Sequence, residues 1–143
     1  MSGSSPSMTD WSDPEVAEHI LRTYRTWAVV GCSSRPWRAS HGVSRYLLRH
    51  GYEVVPVHPN VKEVHGIPAH RDLRSIPEPL RSRIEVVDLF RRSELVPAHV
   101  DEAIEIGAKA IWMQLEVVNE DAARRAAEAG LLVVMDRCPT SIG

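Results

Sequence analysis

Five short apolar runs, each parted from the next by a helical pattern, constrain this chain more than any other feature. They are residues 27–30, 52–57, 84–90, 108–114 and 131–135. Runs of this length suit strands covered on both faces. Between them, Val43, Tyr46 and Leu47 mark a helix that stops at Gly51. Residues 94–106 predict another, with Pro97 tolerated only near its first turn. Asn119 caps a third, which runs to Ala129 and ends at Gly130. Ahead of the first strand, Asp13-Pro14 reads as a cap followed by an N-terminal proline. Val16, Ala17, Ile20, Leu21 and Tyr24 then give an extra helix over 14–24. Residues 61–76 are irregular and predict a turn and a short helix.

Strands alternating with helices give an α/β fold with a parallel sheet. The connections are too long for hairpins and fit right-handed crossovers. The expectation is one doubly wound domain over 13–143, after a flexible lead-in over 1–12. Its five parallel strands are expected in the order 3-2-1-4-5. Ligands in such sheets sit beyond the carboxyl ends of the strands, where the order reverses.

Composition closes off several alternatives. The chain has 143 residues, which suits one domain, and 43% of them are hydrophobic. The net charge of -2 shows no basic excess, so no nucleic-acid partner is expected. No apolar run approaches the ~20 residues of a membrane span, and the N-terminus lacks a signal-peptide core. A cytoplasmic protein is the expectation. Cys32 and Cys138 make no disulfide framework. Among the 17 basic residues only Lys62 and Lys109 are lysines. The arginines reflect either codon usage or anion recognition by planar guanidinium groups, and position must decide.

Position points first to the loop after the first strand, Gly31 to Val43. It leads into a helix, where backbone N–H groups and the helix dipole can hold phosphate. Gly31 allows a tight turn, Ser33, Ser34 and Ser40 add hydroxyls, and Arg35 and Arg38 add charge. A dinucleotide fingerprint would need glycine where Ser33 and Pro36 stand, and no G-K-[ST] closes a P-loop. The second loop, His58-Pro59-Asn60, lacks the acidic residue that takes a ribose diol in NAD domains. In the third, Phe90 can lie against an adenine and Arg91 can pair with phosphate; equally, Phe90 can be core and the arginine solvated. Gln114 can bond a ligand's amide or hydroxyl groups, or simply satisfy backbone. His58, His65 and His70 are scattered without metal-ligand spacing, and no nucleophile elbow is present.

These segments together resemble the stand-alone CoA-binding protein family. The resemblance rests on Val29-Val30-Gly31-Cys32-Ser33, Pro36, Arg38, Ser40-His41, Gly51-Tyr52-Glu53-Val54, Val57-His58-Pro59-Asn60 and Asp88-Leu89-Phe90-Arg91-Arg92. Gly107-Ala108-Lys109, Trp112-Met113-Gln114-Leu115 and Val133-Val134-Met135-Asp136-Arg137-Cys138 extend it. It is collinear over about residues 14–138. Where the family commonly reads valine-asparagine-proline, this chain has His58 in the middle.

The resemblance implies a Rossmann-like domain, also found in succinyl-CoA synthetase α-subunits, with coenzyme A or an acyl-CoA as its small-molecule ligand. The pyrophosphate would rest on the first loop, the 3'-phosphate on Arg38 or Arg91, and the pantetheine arm would run toward Gln114 and Cys138. The contacts it implies are Gly31, Cys32, Ser33, Ser34, Pro36, Arg38, Ser40, His41, Val43, His58, Pro59, Asn60, Phe90, Arg91, Gln114 and Cys138. A non-catalytic module is expected, with no membrane or nucleic-acid partner. The alternatives are a small NAD(P)-binding oxidoreductase-type domain and a purely structural or protein-interaction role.

Overall fold

The computed structural model describes residues 11–141. Residues 1–10 of the expected lead-in lie outside the described residues. Trp11 and Ser12 are fastened to the sheet: Met135 N donates to the Trp11 carbonyl (2.8 Å) and Arg137 Nε to that of Ser12 (2.6 Å).

The elements in chain order are α1 (Pro14–Thr23), β1 (Thr26–Val30), α2 (Ala39–Arg49), β2 (Glu53–Val57), β3 (Glu63–Val64), β4 (Ile67–Pro68), α3 (Leu80–Arg83), β5 (Val86–Leu89), α4 (Val96–Ile106), β6 (Ala110–Met113), α5 (Glu120–Glu128) and β7 (Leu132–Val134). α1 starts as its sequence predicts: Asp13 accepts from Glu15 N (2.9 Å), with Pro14 in the first turn. Asn119 caps α5 by accepting from Ala122 N (3.0 Å). Gly107, at φ 82, ends α4.

Strands β2, β1, β5, β6 and β7 form one parallel sheet, hydrogen-bonded in that order. Side chains alternate between two cores. Trp27, Val29, Val86 and Trp112 meet Ala17 and Ile20 of α1 and Val43 and Leu47 of α2 on one face. Ala28, Val30, Val87 and Ile111 meet Val100 of α4 and Ala123 and Ala126 of α5 on the other. This is a doubly wound α/β domain.

The strand order corrects the expected 3-2-1-4-5: counting sheet strands along the chain, it is 2-1-3-4-5. The third, β5, lies between β1 and β6 rather than outside β2. Pro56 offers no N–H to a ladder, which suits β2 to an edge. All four residues of β5 are fully buried, as a central strand requires. The outer side of β2 is closed by His70, whose N–H donates to the Pro56 carbonyl (3.0 Å). The segment 61–76 also differs from expectation. It holds the β3–β4 hairpin, turning at His65 (φ 55) and Gly66 (φ 78), and the short helix falls later, at α3.

Candidate functional site

The order reversal between β1 and β5 brings the loops after β1, β2 and β5 to one end of the sheet. Gly31 marks the junction. Its φ is +83°, and a Cβ there would stand 2.4 Å from the Phe90 carbonyl oxygen. The Gly31 N–H donates to the Val57 carbonyl (2.8 Å), and Phe90 N donates to that of Val30 (2.9 Å). Three strand ends are thus stitched together where the ligand side begins.

From this junction the loop climbs to α2. Ser33 N donates to Ser40 Oγ (2.9 Å), and Arg35 N donates to Ser33 Oγ (3.0 Å). Both hydroxyl oxygens therefore brace the loop as acceptors, which leaves their protons to donate elsewhere. Arg38 stands at the N-cap of α2 without a side-chain cap. The 11-residue helix directs its unpaired first-turn N–H groups toward this end.

Loop, helix start and strand ends enclose a cleft of about 590 Å³. It is lined by Arg35, Arg38 and Arg91 and by no carboxylate. None of the three is ion-paired among the described residues. The Arg91 Nε is shut off from water and makes no hydrogen bond. Unpaired guanidiniums facing helix N–H groups are a receptor for anionic oxygen. His58 joins the lining; burial and then the Arg91 charge lower its pKa. Its Nδ1 accepts from Asn60 N (3.0 Å), leaving Nε2 as the neutral ring's donor.

A second hollow of about 350 Å³ adjoins the cleft and shares Ala39, Phe90 and Arg91 with it. Val43, Leu115, Val117 and Cys138 make it largely apolar, with the exposed Arg92 and Glu116 at its rim. Gln114 also lines it, though only 4% exposed, and donates from Nε2 to Asp88 Oδ1 (2.6 Å). Asp88 is wholly buried on β5, and burial pushes its pKa up to about 8 against the opposing hydrogen bond from Gln114. Its Oδ2 has no partner.

The cleft gathers Gly31, Ser33, Ser34, Arg38, Ser40, His58, Asn60, Phe90 and Arg91 of the sequence-derived residues. The hollow adds Val43, Gln114 and Cys138. Four residues line neither. Cys32 is fully buried, and burial holds its thiol at a pKa of about 11, so it stays a protonated core residue. Pro36 and Pro59 are exposed. His41 turns to the hairpin, with its ring 4.2 Å from that of His65. His65 Nε2 lies within hydrogen-bond distance of Ser44 Oγ (3.0 Å) and the His41 carbonyl (3.1 Å). Sequence reasoning did not single out Leu115, Val117 or the buried role of Asp88. Among the described residues no group of three or more His, Cys, Asp or Glu could hold a metal ion. No described helix is long and apolar enough to cross a membrane.

Comparison with known proteins points the same way as the cleft. An uncharacterized Bacillus subtilis protein, YneT, is 40% identical over 131 residues, covering 92% of this chain and 93% of that protein. A solved structure of a hypothetical protein from Pyrococcus horikoshii is 38% identical, with a TM-score of 0.83 over 99% of this chain and 96% of that one. A dinucleotide-forming acetyl-coenzyme A synthetase from Ca. Korarchaeum cryptofilum shares the fold, at 22% identity and a TM-score of 0.65, over 78% of this chain and 26% of that one. Residues 25–143 match the CoA binding domain, so all five sheet strands and the loops that line the cleft fall within one family pattern. The chain belongs to the CoA binding domain family.

Proposed function

We propose that this protein binds coenzyme A, or an acyl-CoA, as a non-catalytic module with a regulatory, carrier or storage role. The observation that carries this reading is the cleft with three unpaired arginines and no carboxylate. Coenzyme A brings a pyrophosphate and a 3'-phosphate. The pyrophosphate suits the loop from Gly31 to Ser40 and the N-terminus of α2. The 3'-phosphate suits Arg38 or Arg91. The pantetheine arm, with its two amides and terminal thiol, suits the adjoining hollow that contains Gln114 and Cys138. A carboxylate at the end of β2, as ribose-diol binding would ask, would repel a 3'-phosphate; His58-Pro59-Asn60 stands there instead.

Calorimetric titration with CoA, dephospho-CoA and NAD in parallel tests the reading. CoA is expected to bind most tightly and dephospho-CoA more weakly, because it lacks the 3'-phosphate. NAD binding as tight as CoA overturns the proposal in favour of a dinucleotide domain.

A further inference from the structure

Among the described residues Asp88 is the one fully buried carboxylate, and it does not line the anion cleft. It sits at the third position of β5, opposite Val29 and Trp112, on the face covered by α1 and α2. An apolar residue there would avoid the desolvation of a carboxyl group. Its single described hydrogen bond is the 2.6 Å contact from Gln114 Nε2, while Oδ2 is shut off from water with no partner. What Asp88 accomplishes is therefore found in Gln114.

A glutamine carboxamide has two different ends, a donor and an acceptor. In a half-apolar wall with no constraint, either end can turn outward. Here Nε2 is committed to Asp88 on the protein side. Gln114 also lines the hollow; with one Nε2 proton given to Asp88, the carbonyl Oε1 lies at the amide's opposite end and makes no described hydrogen bond of its own. Of the hollow's other lining side chains, Val43, Phe90, Leu115 and Val117 offer no oxygen acceptor; Glu116 does, but it is exposed at the rim, so Gln114 is the buried one. We propose that Asp88 is a positioning residue that holds Gln114 with its carbonyl toward the hollow, so that this wall selects a ligand arm bearing an N–H donor. This rests on the coenzyme A reading, in which the arm's secondary amides supply that donor. With the proton of neutral Asp88 on Oδ2, Oδ1 accepts from Gln114 as it does in the ionised form.

The inference is tested with two probes, CoA and adenosine 3',5'-bisphosphate, which keeps the phosphates but lacks the arm. Asp88→Leu should weaken CoA by roughly tenfold, the size of one lost neutral hydrogen bond, and leave the bisphosphate within about twofold. Asp88→Asn keeps an acceptor oxygen in place and should restore most of the CoA affinity. In a Gln114→Leu background, which itself loses CoA affinity selectively, Asp88→Leu should cost nothing more. A general packing defect would instead weaken both probes. Parent-like CoA binding by folded Asp88→Leu, equal loss of both probes, or full additivity with Gln114→Leu overturns the inference. So does parent-like CoA binding by Gln114→Leu, a variant that leaves Asp88 in place. If the parent binds the bisphosphate but CoA no better, the arm finds no wall here and the inference fails alone; if it binds neither, the coenzyme A reading itself fails.

Discussion

Arg38 and Arg91 approach the cleft from different elements, the start of α2 and the loop after β5. Each points a full charge at the same space without a carboxylate partner. A hydrogen bond to a charged group is worth about 1.5–3 kcal/mol. Replacing the arginine that holds the 3'-phosphate by alanine should therefore weaken CoA roughly ten- to a hundredfold. Affinities for Arg38→Ala and Arg91→Ala, measured with circular dichroism as a fold control, decide the matter; parent-like binding by both would remove the assignment. At this scale the sequence was legible wherever a residue type stands in a loop beside a strand end. Gly31, Ser33, Arg38, His58 and Arg91 all come together there. Asp88 was not legible in the same way. A lone carboxylate in an apolar run takes its meaning from Gln114, 26 positions away, and local spacing does not carry that pairing.

At the scale of elements, the β1–β5 junction fixes the cleft floor. Gly31 meets two demands there: a left-handed backbone, and the absence of a side chain against the Phe90 carbonyl. Gly31→Ala should destabilise the fold by roughly 2–5 kcal/mol, combining overpacking with the left-handed backbone cost. Gly51 has a similar φ of +85° but open space around it, so Gly51→Ala should lose only the backbone share, ~1–2 kcal/mol. Urea denaturation midpoints compare them, and equal midpoints would show that the close approach to Phe90 costs nothing. The helices and strands themselves followed from apolar periodicity and caps. The place of β5 did not, because alternation fixes that strands are parallel but not which neighbour each one takes. Pro56 held part of that information, since a proline within an apolar run argues for an edge strand. The β3–β4 hairpin has two-residue strands, too short for any periodicity to register.

Across the whole molecule, the half-buried His41 and His58 and the buried Asp88 make stability depend on pH with opposite signs. Burial, then the charges of His65 and Arg45, lowers the pKa of His41; burial and then Arg91 lower that of His58. The unfolded chain then binds more protons than the native one, so stability present above about pH 6.5 declines as pH falls below it. Asp88 has the opposite sign. Its folded pKa, about 8, lies above the unfolded value, so the native state holds the extra proton. Its contribution is fully present below the unfolded pKa, is lost progressively as pH rises from there through 8, and changes no further above that. From pH 5 to 9.5, melting temperatures should fall as pH drops below about 6.5, where the histidines act against Asp88, and fall as pH rises from about 6.5 to 8, where Asp88 acts unopposed. In Asp88→Leu the decline between about pH 6.5 and 8 should shrink and the acidic one should steepen; an unchanged slope between about pH 6.5 and 8 would show that Asp88 is not the group responsible.

The polar cleft and the apolar hollow meet at Phe90 and Arg91, so one extended ligand with an anionic head and a less polar arm can occupy both. A crystal structure of the protein grown with coenzyme A tests this most directly. The account predicts the pyrophosphate against the loop from Gly31 to Ser40, the 3'-phosphate on Arg38 or Arg91, and the arm entering the hollow beside Gln114. Coenzyme A ordered elsewhere on the surface, or a cleft still empty at saturating ligand, would contradict it.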